Sequence, residues 1–392
     1  MATTPAAPIL PLVDSDEMAM LRETVSAICS SFGPAYTREK VESGEPCTEL
    51  WDELASRGYL GVNLPEEYGG GGLGMTGLSA VAEEMAAAGT SLLLIVVSPA
   101  IVGSILAKHG NEEQREEWLR GITAGTTKVA FAITESGAGS NSHKLATSAR
   151  PDNGKYVLRG EKTFISGVEE ADAIFVVARM RMDDGNLGLP LPLIVDVDAP
   201  GLEKQQIPMA LRAPDKQWTL FFDDVEVPAE RLVGGETGGL GALFDGLNPE
   251  RIMGASISCG AGRRALGMGA AYAREREVWG QPIGAHQGIA HPLAEAKIEL
   301  ELAKLMTQKA ATLYDAGGKA GEASNMAKYA AAEAAIKCVD RSIQAHGGNG
   351  FALEYGLADM WWGVRLGRTA PVSREMILNY VAEHSLGLPK SY

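Results

Sequence analysis

Apolar residues recur with a helical period over the first third of the chain. Leu21, Val25 and Ile28 share one face, and Glu49 to Gly58 and Thr76 to Ala88 continue the spacing. Between them, Pro65-Glu-Glu-Tyr-Gly-Gly-Gly-Gly72 is a turn cluster that no helix interior tolerates. From about Thr126 the period changes. Val129–Ile133, Lys155–Arg159, Ala173–Ala178, Leu191–Val197 and Thr219–Val227 are short β-type runs separated by Gly, Asp, Asn and Pro. With no helical period between them, they predict an antiparallel sandwich or barrel. After about Leu240 the pattern is helical again and rich in alanine. Pro249–Val278, His286–Ala316, Ala320–His346 and Met360–His384 are long enough for a four-helix bundle. The predicted class is α+β: an N-terminal helical domain over residues 1–125, a central antiparallel β-barrel or sandwich over 126–240, and a C-terminal four-helix bundle over 241–392.

Length and composition agree with several domains. A chain of 392 residues is too long for one core and suits two or three domains. A hydrophobic share of 45% with 22% charged residues is ordinary globular usage, which excludes wholesale disorder. The net charge of −15 excludes non-specific gripping of a nucleic-acid backbone, although a local basic pocket can still take a polyanionic small molecule. Cys29, Cys47, Cys259 and Cys338 are far apart with no C-x-x-C pair, so neither a zinc site nor a disulfide framework is expected. The first basic residue is Arg22, which fits neither a secretory signal nor a transit peptide. The most apolar run, Ser91 to Leu106, contains Pro99 and is too short to span a bilayer. A soluble cytoplasmic protein with no membrane, nucleic-acid or metal partner is the expectation.

Four segments carry candidate chemistry. Phe131-Ala-Ile-Thr-Glu-Ser-Gly-Ala-Gly-Ser140 leaves the first predicted strand, and its close glycines let backbone N–H groups approach a ligand. By itself it also reads as a plain hairpin loop, and it opens no helix as a dinucleotide fingerprint must. Lys162-Thr-Phe-Ile-Ser-Gly167 offers an aromatic and a hydroxyl suited to the edge of a flat heterocycle, or a half-buried strand. Tyr272-Ala-Arg-Glu-Arg276, Trp279-Gly-Gln-Pro-Ile283 and His286-Gln287 end one long helix and enter the next. There Arg276 suits a phosphate or simply the helix dipole. Gln344-Ala-His-Gly-Gly-Asn-Gly350 places three glycines where a helix ends, more than one C-cap requires.

In this order and on this α–β–α layout, the segments resemble the acyl-CoA dehydrogenase family from end to end, including Pro65–Gly70 and Phe222-Asp-Asp-Val-Glu-Val-Pro228. The resemblance implies FAD, an acyl-CoA thioester substrate, an electron-transferring flavoprotein as acceptor and a homotetramer. It assigns Phe131, Ile133, Thr134, Gly139 and Ser140 to the segment that holds the flavin and its pyrophosphate, with Ser140 also near the CoA. Phe164, Ile165 and Ser166 match the segment beside the flavin ring. Arg276, His286, Gln287, Gln344, Gly347 and Gly348 match residues that clasp the FAD of a neighbouring subunit, and Thr369 also falls among the cofactor contacts. Asn248 and Arg251 match contacts to the CoA.

The chain departs from the commonest family pattern at the base. Gly367, in Leu366-Gly-Arg-Thr-Ala-Pro371, stands where many members carry the catalytic Glu. Glu250, in Leu247-Asn-Pro-Glu-Arg251, matches the position used by the isovaleryl- and long-chain-type branches. The resemblance makes Glu250 the base that removes the α-proton, and leaves the Gly367 backbone N–H as a donor to the thioester oxygen. Local physics offers Glu250 another role, because Asn248 suits an N-cap, Pro249 a first turn, and an acid next to them the helix dipole. Arg368 replaces the usual Gly, either to pair with an acid or to face a subunit interface. Two other readings use the same segments: an oxidase or monooxygenase, and a non-catalytic partner subunit of a hetero-oligomer. The acyl chain stays open, since Ser91 to Ile105 reads equally as pocket floor or core.

Overall fold

Seven strands make one sheet, and their pairing follows from where the apolar runs lie. The computed structural model describes residues 14–391, apart from the side chain of Leu240. The first thirteen residues, on which the expectation about a targeting signal falls, lie outside the described residues. The chain divides into two compact units. One comprises Ala35–Leu73 and Ser91–Glu250; the other comprises Gly74–Thr90 and Arg251–Tyr392 with Met1–Pro34, as far as these are described.

In the first of these units the strands are β1 (Val129–Ala132), β2 (Ser148–Asp152), β3 (Lys155–Ser166), β4 (Ala173–Arg181), β5 (Leu187–Asp196), β6 (Leu202–Ile207) and β7 (Gln217–Pro228). β2–β3, β3–β7, β6–β7 and β4–β5 are antiparallel. β1 and β2 both run parallel to β4, so the sheet is mixed. The crossover that parallel pairing needs is supplied by the long segment between β1 and β4, which contains the β2–β3 hairpin. That hairpin turns on Asn153 and Gly154, both at positive φ (48° and 82°), the geometry that matches strand twist. Alternate residues fill the core: Leu158 and Ile165 from β3, Ile174 and Val176 from β4, Leu193 and Val195 from β5, Leu220 and Phe222 from β7. β2 and β6 were not expected. Ser148–Asp152 is short with just Ala149 as an aliphatic core residue, and Leu202–Ile207 is mostly polar and exposed, so neither has an apolar alternation to announce it.

The turn cluster at Pro65–Gly72 is tight enough to require its glycines: a Cβ on Gly70 would lie 2.1 Å from the Leu64 carbonyl oxygen. Val96–Gly103 is wound in wide π-type turns around Pro99, which lacks the N–H an α-turn would use.

The other unit is helical. Gly74–Ala88, Gln287–Asp315 and Gly321–His346 are straight runs. Two expected boundaries are corrected. The stretch 360–384 is not one helix but Leu357–Leu366 and Arg374–Tyr380, parted by a turn at Gly367–Ser373 where Pro371 offers no N–H. The helix expected from Pro249 begins at Gly235 and runs to Glu275, so Pro249 lies in its interior and Asn248 is no N-cap. Ala265, Ala335, Ile336, Val339, Leu357 and Val364 form a core of this unit. Small residues let its helices close up; a Cβ on Gly269 would stand 2.6 Å from Ser342 Oγ.

The four cysteines are free and buried. Among the described residues no helix is long and apolar enough to cross a membrane, and no group of three or more His, Cys, Asp or Glu could hold a metal ion.

Candidate functional site

In the sheet unit, the two predicted flavin segments are brought side by side. Phe131 is buried on β1, stacked on Phe175 at 6.0 Å between ring centroids. Beyond it the chain reaches the sheet's end, and Thr134 locks onto β3: the Thr163 N–H donates to the Thr134 carbonyl at 2.9 Å, and the Thr134 hydroxyl donates to the Thr163 carbonyl. Glu135 and Ala138 exchange backbone hydrogen bonds (3.2 and 3.1 Å), closing a tight loop. Gly139 and Ser140 are exposed beyond it, and a Cβ on Gly137 or Gly139 would meet nothing within 4 Å.

β3 arrives at this edge with a register shift against β7. Lys162 faces Leu220, but Ile165 faces Trp218, so one extra residue is accommodated. A bulge of this kind re-aims a side chain. Here Phe164 sits at φ 58°, in the left-handed region that non-glycine residues avoid, and its ring is 59% exposed. Ile165 returns to the core, and the Ser166 hydroxyl and Gln217 side-chain amide are hydrogen-bonded at 2.8–3.0 Å.

Beneath the edge lies a pair that the sequence reading missed. Lys162, with no exposed surface, donates to the Ile133 carbonyl at 2.9 Å and to Glu135 Oε1 at 2.7 Å. Glu135 also accepts from the backbone N–H groups of Ala146 (2.6 Å) and Thr147 (3.0 Å). Burial pulls the Lys162 ammonium down to about 8 even though Glu135 opposes the fall. Burial alone would raise the Glu135 carboxyl, but the Ala146 N–H and Lys162 hold it below the usual carboxylate range. The available signal was phase: Tyr156, Leu158 and Lys162 share the inward register of β3.

In the helical unit, Arg276 is exposed at the end of the helix Gly235–Glu275, its N–H bonded to the Tyr272 carbonyl at 2.9 Å. A small hairpin of β8 (Glu277–Val278) and β9 (Gln281–Pro282) follows, turning on Trp279 and Gly280 at φ 54° and 78°. Trp279 is 89% exposed, its ring edge-on to His286 at 5.8 Å; Gln287 beside it is exposed. The tyrosine that anchors Arg276 also reaches the glycine turn. Tyr272 stacks on His346 at 4.1 Å, and Asn349 donates to the Tyr272 hydroxyl at 3.1 Å. Gln344, Gly347 and Gly348 are exposed there, with Gly347 at φ 57°, ψ −133° ending its helix.

Gly367 is half-buried, and a Cβ there would approach the Val364 carbonyl oxygen at 3.1 Å and Ser258 Oγ at 3.5 Å. Thr369 is exposed, its N–H bonded to the Leu366 carbonyl at 2.7 Å. Arg368 resolves simply: its Nε donates to Glu333 Oε1 at 2.7 Å and its Nη2 also pairs with Glu333, which Arg374 joins at 3.2 Å. Asn248 and Glu250 fall in the sheet unit and Arg251 in the helical one; all three are half-buried. Because their helix begins at Gly235, Glu250 lies some four turns inside it, beyond the first turn in which a dipole favours an acid. The capping explanation of Glu250 is thereby withdrawn.

These features fit FAD. A flat tricyclic ring with a diphosphate tail asks for a free aromatic face, hydroxyls at an edge and open backbone. Phe164, Thr134, Ser166 and the Gly137–Ser140 loop provide them without any side chain filling the space over the glycines.

Comparisons with known proteins agree. The acyl-CoA dehydrogenase N-terminal, middle and C-terminal domain descriptions match residues 15–126, 130–225 and 237–386 in order. The acyl-CoA dehydrogenase FadE12 of Mycobacterium tuberculosis is 54% identical over 382 residues, 97% of this chain and 98% of that protein. The CarC subunit of the caffeyl-CoA reductase–Etf complex of Acetobacterium woodii is 33% identical, covering 84% of this chain and 87% of its own. A glutaryl-CoA dehydrogenase of Mycobacterium smegmatis, solved in complex with FADH2, superposes with a TM-score of 0.89 at 26% identity, covering 97% of this chain and 96% of its own. With the three domain descriptions matched in sequence order and a 54% identical relative along nearly its whole length, the chain belongs to the acyl-CoA dehydrogenase family and is an FAD-dependent oxidoreductase.

Proposed function

We propose that the protein dehydrogenates an acyl-CoA thioester to the 2-enoyl-CoA with Glu250 as the base, passing the electrons to an electron-transferring flavoprotein. The observation that carries the reading is the place of Glu250, a carboxylate in a helix interior where neither capping nor the dipole accounts for it. Gly367 adds to it by lacking any side chain that could take a proton. The α-proton moves to the Glu250 carboxylate, a step for which a positioned general base supplies about 10²–10⁴-fold. Charge then develops on the thioester oxygen, and the Gly367 backbone N–H is the donor that meets it. When bound, FAD would supply the two-electron acceptor for the β-hydrogen and its electron pair.

Phe131, Ile133, Thr134, Gly139, Ser140, Phe164, Ile165, Ser166 and Thr369 are the residues for this chain's own FAD. Arg276, His286, Gln287, Gln344, Gly347 and Gly348 serve the FAD of a neighbouring copy. Ser140, Asn248 and Arg251 take the CoA. On this reading the protein is a cytoplasmic homotetramer of fatty-acid metabolism, with domains at residues 1–125, 126–240 and 241–392. An electron-transferring flavoprotein as acceptor is supported by the Etf complex in which the similar CarC subunit is named.

The test is anaerobic mixing of the purified flavoprotein with a panel of linear, branched and ring-bearing acyl-CoAs. At least one saturated thioester should bleach the flavin, and a dye acceptor should restore the colour far faster than oxygen does. Rapid recolouring by oxygen would place the protein with the oxidases, and no bleaching by any saturated thioester would end the reading.

A further inference from the structure

Lys162 is an unusual residue to bury. Its side chain has no exposed surface, and among the described residues its ammonium donates only to the Ile133 carbonyl and Glu135. A buried ion pair is a poor source of stability, since well-packed apolar residues of the same volume usually serve as well or better. What this pair does have is place. Glu135 follows Thr134 directly, and Lys162 precedes Phe164 by two residues, at the point where β3 slips its register against β7. The Glu135 carboxylate also gathers the Ala146 and Thr147 N–H groups. One salt bridge thus ties together three segments, 133–135, 146–147 and 162–164. Phe164 needs such a tie, because its left-handed backbone at φ 58° is held by its surroundings and not by preference.

We propose that the Lys162–Glu135 pair is the positioning device of the flavin edge, fixing the bulge that presents Phe164 and the strand end that carries Thr134. This rests on the assignment of Phe131–Ser140 and Phe164–Ser166 to FAD. Lys162 and Glu135 are positioning residues: they act through Thr134 and Phe164.

The decisive variant is the neutral pair Lys162→Met with Glu135→Gln in the full chain, because a single Lys162→Met strands a buried carboxylate. The double variant should unfold near the wild-type temperature. Its apoprotein should bind FAD at least tenfold more weakly, with the visible spectrum and reduction potential of the bound flavin displaced. Leu158→Ala, a cavity in the core of the same strand, should lower stability and leave FAD affinity and potential unchanged. Wild-type affinity and potential in the double variant would overturn the proposal, as would an equal loss of affinity in Leu158→Ala. If the double variant is insoluble, Glu135→Gln alone is read against Leu158→Ala in the same way; it removes the salt bridge while its one amide oxygen keeps an acceptor for one of the Ala146 and Thr147 N–H groups. Gly139→Leu separates the proposal from its premise. A side chain there meets nothing within 4 Å of its Cβ in the protein, so it should obstruct only a bound ligand. Loss of FAD in Gly139→Leu with normal binding in the double variant sinks the positioning claim alone; retained FAD in Gly139→Leu sinks the assignment and the claim with it.

Discussion

Each unit buries a cluster of opposite charges, and the two clusters are built differently. In the helical unit, Glu83 and Glu84 lie side by side on the helix Gly74–Ala88 and meet three cations. Arg22 reaches both at 2.8 and 3.0 Å, Lys304 reaches Glu83 at 3.0 Å, and Arg263 pairs with both. Burial would raise the Glu83 carboxyl, but Arg22, Lys304 and Arg263 together hold it below its ordinary value. Apart from Asp14, which pairs with Arg22 at 2.9 Å just before the first helix, every participant lies within a helix, and Arg263 and Lys304 keep part of their length in solvent. In the sheet unit, Lys162 and Glu135 form a single pair at the ends of strands, completed by backbone N–H groups. The first arrangement fastens helices that already have a core of their own. The second fastens loose ends around an exposed aromatic ring. Buried charge in this protein therefore does two jobs, distinguishable by whether its partners are helix side chains or strand-end backbone.

The largest expected effect breaks the first cluster. Glu83→Ala leaves Arg22 and Lys304 without their shared partner and should cost about 3–5 kcal/mol in a urea titration. FAD affinity of the folded fraction should be unchanged. A loss below about 1 kcal/mol, the range of surface pairs, would mean that the network adds nothing beyond ordinary solvent-exposed contacts.

A smaller effect sharpens the comparison with a carboxylate that has no cation partner among the described residues. Asp215 Oδ1 accepts from the Leu93 N–H at 3.1 Å, while its Oδ2 is buried without a hydrogen-bond partner. Burial, with Glu170 and Glu169 nearby, pushes its carboxyl up to about 7. The folded chain therefore keeps a proton that the unfolded chain gives up near pH 4. Asp215 should make the protein less stable as pH rises from about 4 to about 7, with the full cost present above that window. Melting temperatures of Asp215→Asn and the wild type should diverge in favour of the variant across that window and run parallel above it. A difference that stays flat from pH 4.5 to 8 would contradict this.

Much of the architecture was readable because it is written in pattern: short continuous apolar runs in β4 and β5, and helical spacing in the alanine-rich runs. What escaped was held by forces that leave no such pattern. β2 and β6 are held mainly by backbone pairing, with only Ala149 and Leu202 packed on the sheet core, and the break at Gly367–Ser373 holds one proline. The early start of the helix at Gly235 lies in a glycine-rich run that a propensity argument discounts. The segments proposed for the flavin stood out as motifs, yet the ion pair under them did not, because a lysine in a strand ordinarily reads as a solvated face. Arg368 had several credible partners in the sequence, and only folding singles out Glu333.

The account turns on Glu250, and single-turnover reduction of the bound flavin tests it most directly. Glu250→Gln keeps the shape of the side chain and removes its capacity to take a proton. Mixed anaerobically with whichever acyl-CoA bleaches the wild type, the variant should carry a full complement of FAD and reduce it about 10²–10⁴-fold more slowly. Flavin reduction at the wild-type rate would contradict the assignment and return the search for the base to the rest of the chain.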